Sequence, residues 1–359
     1  MPKLRAALVT PMTGPLARFG RESAKALGLW AEHAADLPAP WTGVELAVLD
    51  AGEDAGTVMR EAVEARPDLV FGPYGSSPTV AAARATNRVL WNHGGATSAL
   101  RRPDFPRVIN VLSPASSYPD GVLRAVRAVD PAASTSSVLH SSTGFGQDVA
   151  SGATSTAREL GFEVRTARFE PDHVTEAAAT LPAADLLLVA GGFEDEVAAA
   201  HALLPGGWRA AAFVGAGVEE VLAPIGDLRE GLLGPAQWMA SAAPEPDEGP
   251  DAAWFVRRFR EAAGTEPSYP AVQAFAAGVI CARCLRDGGV DDEAQLATAR
   301  QLECTTLYGG FRLDAASGLQ VGHEVLIVQW QDGVRRVVWP PERAERAPCY
   351  PRPGSRAAK

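Results

Sequence analysis

The stretch from Asp68 to Thr79, DLVFGPYGSSPT, brings together an apolar run, a glycine-proline turn and two serines ahead of a proline, and that spacing could hold an anion. Leu69 to Phe71 reads as a short buried strand, Ser77 as a helix N-cap and Pro78 as the first helical residue. A helix that begins just past a strand end aims unpaired backbone N–H groups and the positive end of its dipole at the space beyond the sheet. The Ser76 hydroxyl adds a donor there. The same residues also make an ordinary strand-to-helix turn with no ligand, and on this stretch alone both readings stay open.

Other chemistry has weaker support. The six histidines (His33, His93, His140, His173, His201 and His323) show no HxxH or HExxH spacing, so no metal site is expected. His93 stands apart because it lies at a strand end just before the loop of Thr97, where it could face a ligand or serve the core. Cys281 and Cys284 sit three apart in a helical stretch and could bind metal or pair. With no second close pair among the four cysteines, they read better as small buried hydrophobes. There is no G-x-S-x-G elbow and no P-loop, and Gly215-Ala216-Gly217 lacks the third glycine of a dinucleotide turn, so neither enzyme nor cofactor is expected.

The elements that must position these residues alternate between strand and helix. Leu4 to Val9, Val44 to Leu49, Leu69 to Phe71 and Val108 to Leu112 read as strands, with helices at Ala17 to Ala34, Ala55 to Ala65 and from Ser77. From Ser113 the pattern restarts. Strands at Ser137 to His140, Phe162 to Phe169, Asp185 to Ala190, Ala210 to Val214 and Leu232 to Met239 alternate with helices at Tyr118 to Val129, from Gly144 to Leu160, at Glu176 to Leu181 and after Phe193. Strands separated by helices imply parallel pairing and two doubly wound α/β lobes, whose ligands bind at strand carboxyl ends. The proline-rich run Ala243 to Pro250 marks a crossing between lobes. Ala252 to Leu302 is helical and should pack on the first lobe. Two strands, Gly309 to Leu313 and Glu324 to Trp330, should close the fold with a glycine-containing turn between them. The expected limits are 1–115 plus 241–322 for lobe 1 and 116–240 plus 323–340 for lobe 2. Residues 341–359 lack apolar periodicity and should be a mobile tail.

Composition narrows the partners. The chain has 359 residues, 47% hydrophobic and 21% charged, long enough for two domains. A net charge of -10 argues against a nucleic-acid or anionic-membrane partner, each of which needs a basic face. The longest apolar run, Tyr269 to Cys284, is too short and interrupted to span a bilayer, so no direct membrane insertion is expected. MPKLRAALVTP enters a strand at once without a charged-then-apolar leader, which fits either a removed export signal or a cytoplasmic protein.

The opening ALVTPMTGPLARFGRESAKALGLWAE, Ala7 to Glu32, resembles the leucine/isoleucine/valine-binding group of type I periplasmic binding proteins. Later motifs keep that group's order: Asp50 after the second strand, FGPYGSS, GGATS, TGFGQD, PSYPAVQAFAAG and FRLDAASGLQVGHEVLIVQWQDG. The resemblance covers about Leu4 to Trp339. It implies two lobes joined by three crossover segments, closing on a small molecule. It also implies a carboxylate cradle at Ser76 and Thr97, flanking backbone at Tyr74, Gly75 and Ala96, and aromatic walls from Phe19, Phe145, Phe193 and Tyr269.

One position departs from the group. Where relatives that bind α-amino acids place an acid for the ligand ammonium, this sequence aligns Ala216. A buried unpaired ammonium is costly, so Glu219 or Glu194 must substitute, or the ligand lacks the amine. Each of these glutamates also suits a solvated first helical turn. The function implied is a non-catalytic solute-binding protein for an ABC importer, its partners an amino acid, amide or carboxylate and a membrane permease, its location extracytoplasmic. A cytoplasmic ligand sensor on the same fold is the first alternative, and an enzyme acting on a bound ligand is a distant one.

Overall fold

The computed structural model describes residues 2–33, 35–171, 173–218 and 221–354. The chain forms two compact units, Met1–Ser113 with Trp238–Glu324, and Pro114–Gln237 with Val325–Lys359. Unit 1 opens with β1 (Leu4–Thr10), α1 (Ala17–His33), β2 (Val44–Asp50), α2 (Ala55–Glu64), β3 (Leu69–Phe71), α3 (Ser76–Ala85), β4 (Leu90–Asn92) and β5 (Val108–Asn110). Unit 2 follows with α4 (Asp120–Val129), β6 (Thr135–Ser141), α5 (Gly144–Glu159), β7 (Glu163–Phe169), α6 (Val174–Ala178), β8 (Leu186–Ala190), α7 (Phe193–Leu203), β9 (Ala210–Phe213) and β10 (Leu233–Ala236). The chain returns to unit 1 for α8 (Ala252–Ala263), α9 (Tyr269–Gly288), α10 (Asp292–Ala299), β11 (Cys304–Thr306) and β12 (Gly309–Phe311). It ends in unit 2 with β13 (Leu326–Gln331) and β14 (Val334–Trp339).

The unit 1 sheet runs β2-β1-β3-β4-β5, with every pairing parallel. Its inner strands are buried on both faces, which is why β3 reads as a short apolar run without alternation; β4, equally buried but ending in Asn92, is a strand to which the sequence reading assigned no limits. One face packs Val9, Val70 and Leu90 against Met59 of α2 and Ala82 of α3. The other receives α9, which is buried along most of its length, and α1, whose Phe19, Ser23, Ala26, Leu27 and Trp30 fall on one helical face. At Gly278 a side chain would come within 2.4 Å of the Trp30 ring, so glycine lets the two helices meet. Asp292, at the start of α10, binds Arg88 at 2.8 Å and so ties that helix to the segment entering β4.

The unit 2 sheet runs β14-β13-β10-β9-β8-β6-β7. Strands β6 to β10 pair parallel, while β13 and β14 add antiparallel at one edge. Its core divides into two layers, one around Phe169, Phe213 and Trp330 and the other around Leu123, Phe162 and Ile327.

Several expectations need correcting. Gly75, not Ser77, caps α3, and the helix starts at Ser76. Gly75 has φ +100° and a Cβ there would sit 2.8 Å from Leu16, so the cap is a glycine two residues before the serine expected in that role. The two closing strands do not pair with each other: β12 pairs with β11 in unit 1, whereas β13 joins the unit 2 sheet. The antiparallel partner of β13 at the sheet edge is β14, for which no strand was expected.

The segment after 340, expected to be mobile, is seated on unit 2 as far as Gly354. Gln329 exchanges hydrogen bonds with Cys349, its Oε1 accepting from the Cys349 N–H at 2.6 Å and its Nε2 donating to the Cys349 carbonyl at 2.9 Å. Tyr350 donates to Asp130 at 2.5 Å, and the Arg352 guanidinium donates to the carbonyls of Leu204 and Leu228. Apart from the Tyr350–Asp130 pair these contacts run between side chain and backbone, and none leaves a periodic trace in the sequence. Residues 355–359 lie outside the described residues.

Candidate functional site

On unit 1, three neighbouring parallel strands end in the loops that carry most of the candidate residues. Phe19 follows β1, Tyr74 to Ser76 follow β3, and Ala96 and Thr97 follow β4. The second and third loops are joined by backbone pairing, since Tyr74 bridges Gly94 and the Gly75 N–H donates to the Gly94 carbonyl at 3.0 Å. Thr79 holds the turn from within, its hydroxyl donating to the carbonyls of Pro73 at 2.9 Å and Gly75 at 2.7 Å. A Cβ at Gly95 would lie 2.4 Å from the Thr79 hydroxyl, so the GGATS loop can pass this close only as glycine. Thr97 is 5% exposed, and its hydroxyl accepts from the Ala99 N–H at 3.2 Å, starting a short 3-10 turn.

Beneath this loop sit residues the sequence reading did not single out. Asn92 Oδ1 accepts from the N–H groups of Gly94 and Gly95 at 3.2 and 2.8 Å, and its Nδ2 donates to the Gly95 carbonyl at 2.8 Å. Asn110, on the neighbouring strand, donates to the carbonyls of Leu100 and Gly318. An asparagine ending each of two adjacent buried strands was the available signal, because a buried amide must find partners. His93, next to Asn92, is fully buried, and neither ring nitrogen has a hydrogen-bond partner among the described residues. Burial pushes its pKa from 6.5 down to about 4, so at neutral pH it is an uncharged ring.

An aromatic cluster borders the same loops. The Phe19 ring stacks on Tyr74 with centroids 4.9 Å apart, and Tyr269 stands 6.3 Å from Phe19 and 6.4 Å from Tyr74. The hydroxyls of Tyr74 and Tyr269 share a short hydrogen bond. Tyr269 opens α9, and burial of its hydroxyl raises its pKa to about 12. Asp50 steadies the loop ahead of Phe19 by accepting from the Met12 N–H at 2.8 Å and the Thr13 hydroxyl at 2.7 Å. Those hydrogen bonds, the one from Met12 first, lower its pKa to about 2. The structure therefore brings Phe19, Tyr74, Gly75, Ser76, Ala96, Thr97 and Tyr269 into one region of unit 1.

On unit 2 the candidates also lie past the ends of adjacent parallel strands. Phe145 follows β6 in the first turn of α5, whose N-cap Thr143 accepts from the Gly146 N–H at 3.2 Å. Its ring meets Tyr118 edge-on at 6.0 Å. Phe193 follows β8 as the first residue of α7 and is half-buried, while Glu194 beside it is exposed. Ala216 follows β9, with its side chain in the core and its carbonyl taken by the Trp330 indole N–H at 3.0 Å. Glu219 lies outside the described residues. The acid that the sequence reading missed is Glu196, 1% exposed, which accepts from the backbone N–H groups of Gly191 at 3.2 Å and Gly215 at 2.6 Å.

Cys281, Cys284 and Cys304 are buried, and burial raises all three thiols, Cys304 to about 12. Among the described residues no group of three or more His, Cys, Asp or Glu side chains could hold a metal ion, and no helix is long and apolar enough to cross a membrane.

With this geometry in hand, known proteins supply a comparison. Residues 3–334 match the family described as periplasmic binding protein. None of the curated proteins matches the chain in sequence. Among solved structures, a leucine-binding protein from Thermotoga maritima superposes with a TM-score of 0.77 at 19% identity, over 93% of this chain and 97% of that one. An ABC transporter solute-binding protein from R. palustris in complex with 4-hydroxybenzoate gives 0.77 at 18% identity, over 94% and 95%. Another from R. palustris, in complex with benzoate, gives 0.72 at 17%, over 94% and 96%. These likenesses extend over both units and show the fold.

Proposed function

The chain belongs to the periplasmic binding protein family, and on that footing we propose that it is a solute-binding protein that captures a small carboxylate-bearing molecule. In this reading it delivers the solute, chemically unchanged, to the membrane permease of an ABC importer outside the cytoplasm. The observation that carries the reading is the junction on unit 1 of the α3 N-terminus, the Ala96–Thr97 loop and the Phe19–Tyr74–Tyr269 cluster. The first N–H groups of α3 and its dipole favour an anion, and the hydroxyls of Ser76 and Thr97 add donors. The three rings offer an apolar wall with hydroxyl edges for the rest of the solute. Phe145, Phe193 and Glu219 are the corresponding candidates on unit 2.

The surroundings of Ala216 favour solutes without an α-ammonium group. Its side chain is apolar and buried and its carbonyl is already bonded to Trp330, so Ala216 itself presents no anionic partner. An ammonium desolvated there would cost several kcal/mol. Benzoate and 4-hydroxybenzoate, bound by two of the structural relatives, carry a carboxylate and no amine.

A thermal-shift screen of purified, ligand-stripped protein tests the reading. The panel holds leucine, isoleucine, valine, their amides, benzoate, 4-hydroxybenzoate and short aliphatic acids. A ligand at a hundred times its Kd adds about 2.7 kcal/mol and raises the melting temperature visibly. A rise with benzoates but not with amino acids supports the ammonium-free reading, and a rise with leucine alone rejects it. No rise across the panel rejects capture of small carboxylates, and recovery of an altered ligand after long incubation rejects a purely binding role.

A further inference from the structure

We propose that Glu196 is a positioning residue that clamps the two strand-end loops of unit 2 bearing Phe193 and Ala216. Its carboxylate reaches from the first turn of α7 to both loops at once, taking the Gly191 N–H at the end of β8 on one oxygen and the Gly215 N–H at the end of β9 on the other. No other side chain of α7 is placed to do this: Glu194 points outward, and Asp195 is spent on the Gly192 N–H.

The surroundings are shaped for that acid. A Cβ at Gly215 would fall 2.8 Å from Glu196 Oε2 and 2.5 Å from Val221, so only glycine leaves the carboxylate its place. A 1% exposed glutamate is otherwise expensive, and backbone N–H donors are what make it tolerable. Among the described residues the groups acting on it are few. The strand ends contribute the N–H groups of Gly191, Val214 and Gly215, Val221 is apolar, and Asp195 is the charged neighbour, disfavouring a second negative charge. Burial, the largest influence, pushes the Glu196 pKa up to about 8, which places its titration in an accessible range. The anion accepts hydrogen bonds more strongly than the acid, so the loops tighten as pH rises through that value.

The bearing of this clamp on ligand affinity rests on the solute-binding reading, but the clamp itself can be judged without a ligand. Glu196→Gln keeps the shape and, compared at about pH 9 where the wild-type group is ionised, removes the charge. In the intact chain, with circular dichroism showing a folded protein, the Gly191 and Gly215 amides should exchange with solvent at least about tenfold faster than in wild type. Unchanged exchange at both amides overturns the proposal. Should the variant fail to fold, wild-type protein titrated from about pH 4 to 9 decides the matter, because the Gly191 and Gly215 amide resonances must follow one common titration and a flat response at both overturns the clamp. Benzoate and leucine serve as affinity probes. Whichever binds wild type should bind Glu196→Gln at least about tenfold more weakly, without the pH dependence of the parent. Equal affinity and an equal pH profile in the two proteins overturn the link to the ligand site. Failure of wild type to bind either probe counts against the proposed solute class, while amide exchange still decides the clamp.

Discussion

The side-chain amides of Asn92 and Asn110 meet across the ends of β4 and β5, with Asn92 Nδ2 donating to Asn110 Oδ1 at 2.8 Å. Both residues are buried, and between them they bind the backbone of Gly94, Gly95, Leu100 and Gly318. A polar pair in a dry sheet end is stable only when its donors and acceptors are matched, and here that matching fixes the loop that presents Ala96 and Thr97.

Asn92→Ala should therefore destabilise unit 1 by about 2–4 kcal/mol, since it strands several buried backbone groups at once. Urea unfolding measures the loss. A change below about 0.5 kcal/mol would show that the loop holds its shape without the amide.

Ser76→Ala and Thr97→Ala should each weaken carboxylate binding by about 1–3 kcal/mol by leaving a buried anion short of a donor. Isothermal titration with whichever ligand the screen identifies reads this directly. If neither substitution altered affinity, the cradle would be misplaced.

His93 should make the protein acid-sensitive. Its folded pKa, about 4, lies below the unfolded value near 6.5, so the unfolded chain binds a proton first as pH falls. Stability from this site is intact above pH 6.5 and declines below it, by about 3 kcal/mol at pH 4. His93→Leu should remove that part of the slope, and parallel slopes in the two proteins would mean the ring is not held neutral.

Thiol titration of native protein should label Cys349 quickly and leave Cys281, Cys284 and Cys304 unreacted until denaturant is added. Fast labelling of native Cys281 or Cys284 would show that the C-terminal part of α9 opens, and of Cys304 that β11 does.

Ending the chain at Pro340 should lower the stability of unit 2 by about 3 kcal/mol or more, because it removes the Tyr350 and Arg352 contacts and uncovers Asp130 and Arg209. Calorimetry would show an earlier unit 2 transition, and an unshifted one would return the tail to the status of a passive extension.

The sequence alone carried the alternation of strand and helix, the restart after Ser113 and the glycine-marked loops, because apolar periodicity and turn chemistry are encoded within a few residues of one another. It also held the motif order that identifies the family. It did not carry the pairing of β12 with β11, the entry of β13 into the unit 2 sheet, or the seat of residues 341–354. Each depends on partners whose choice is settled only when the apolar faces are buried together. The same holds at the sites: Ser76 and Thr97 are legible as donors, but Asn92, Asn110 and Glu196 look like ordinary polar residues until folding buries them. Only in the folded chain does removal from water oblige each to find its backbone partners, and that obligation is what shapes the loops.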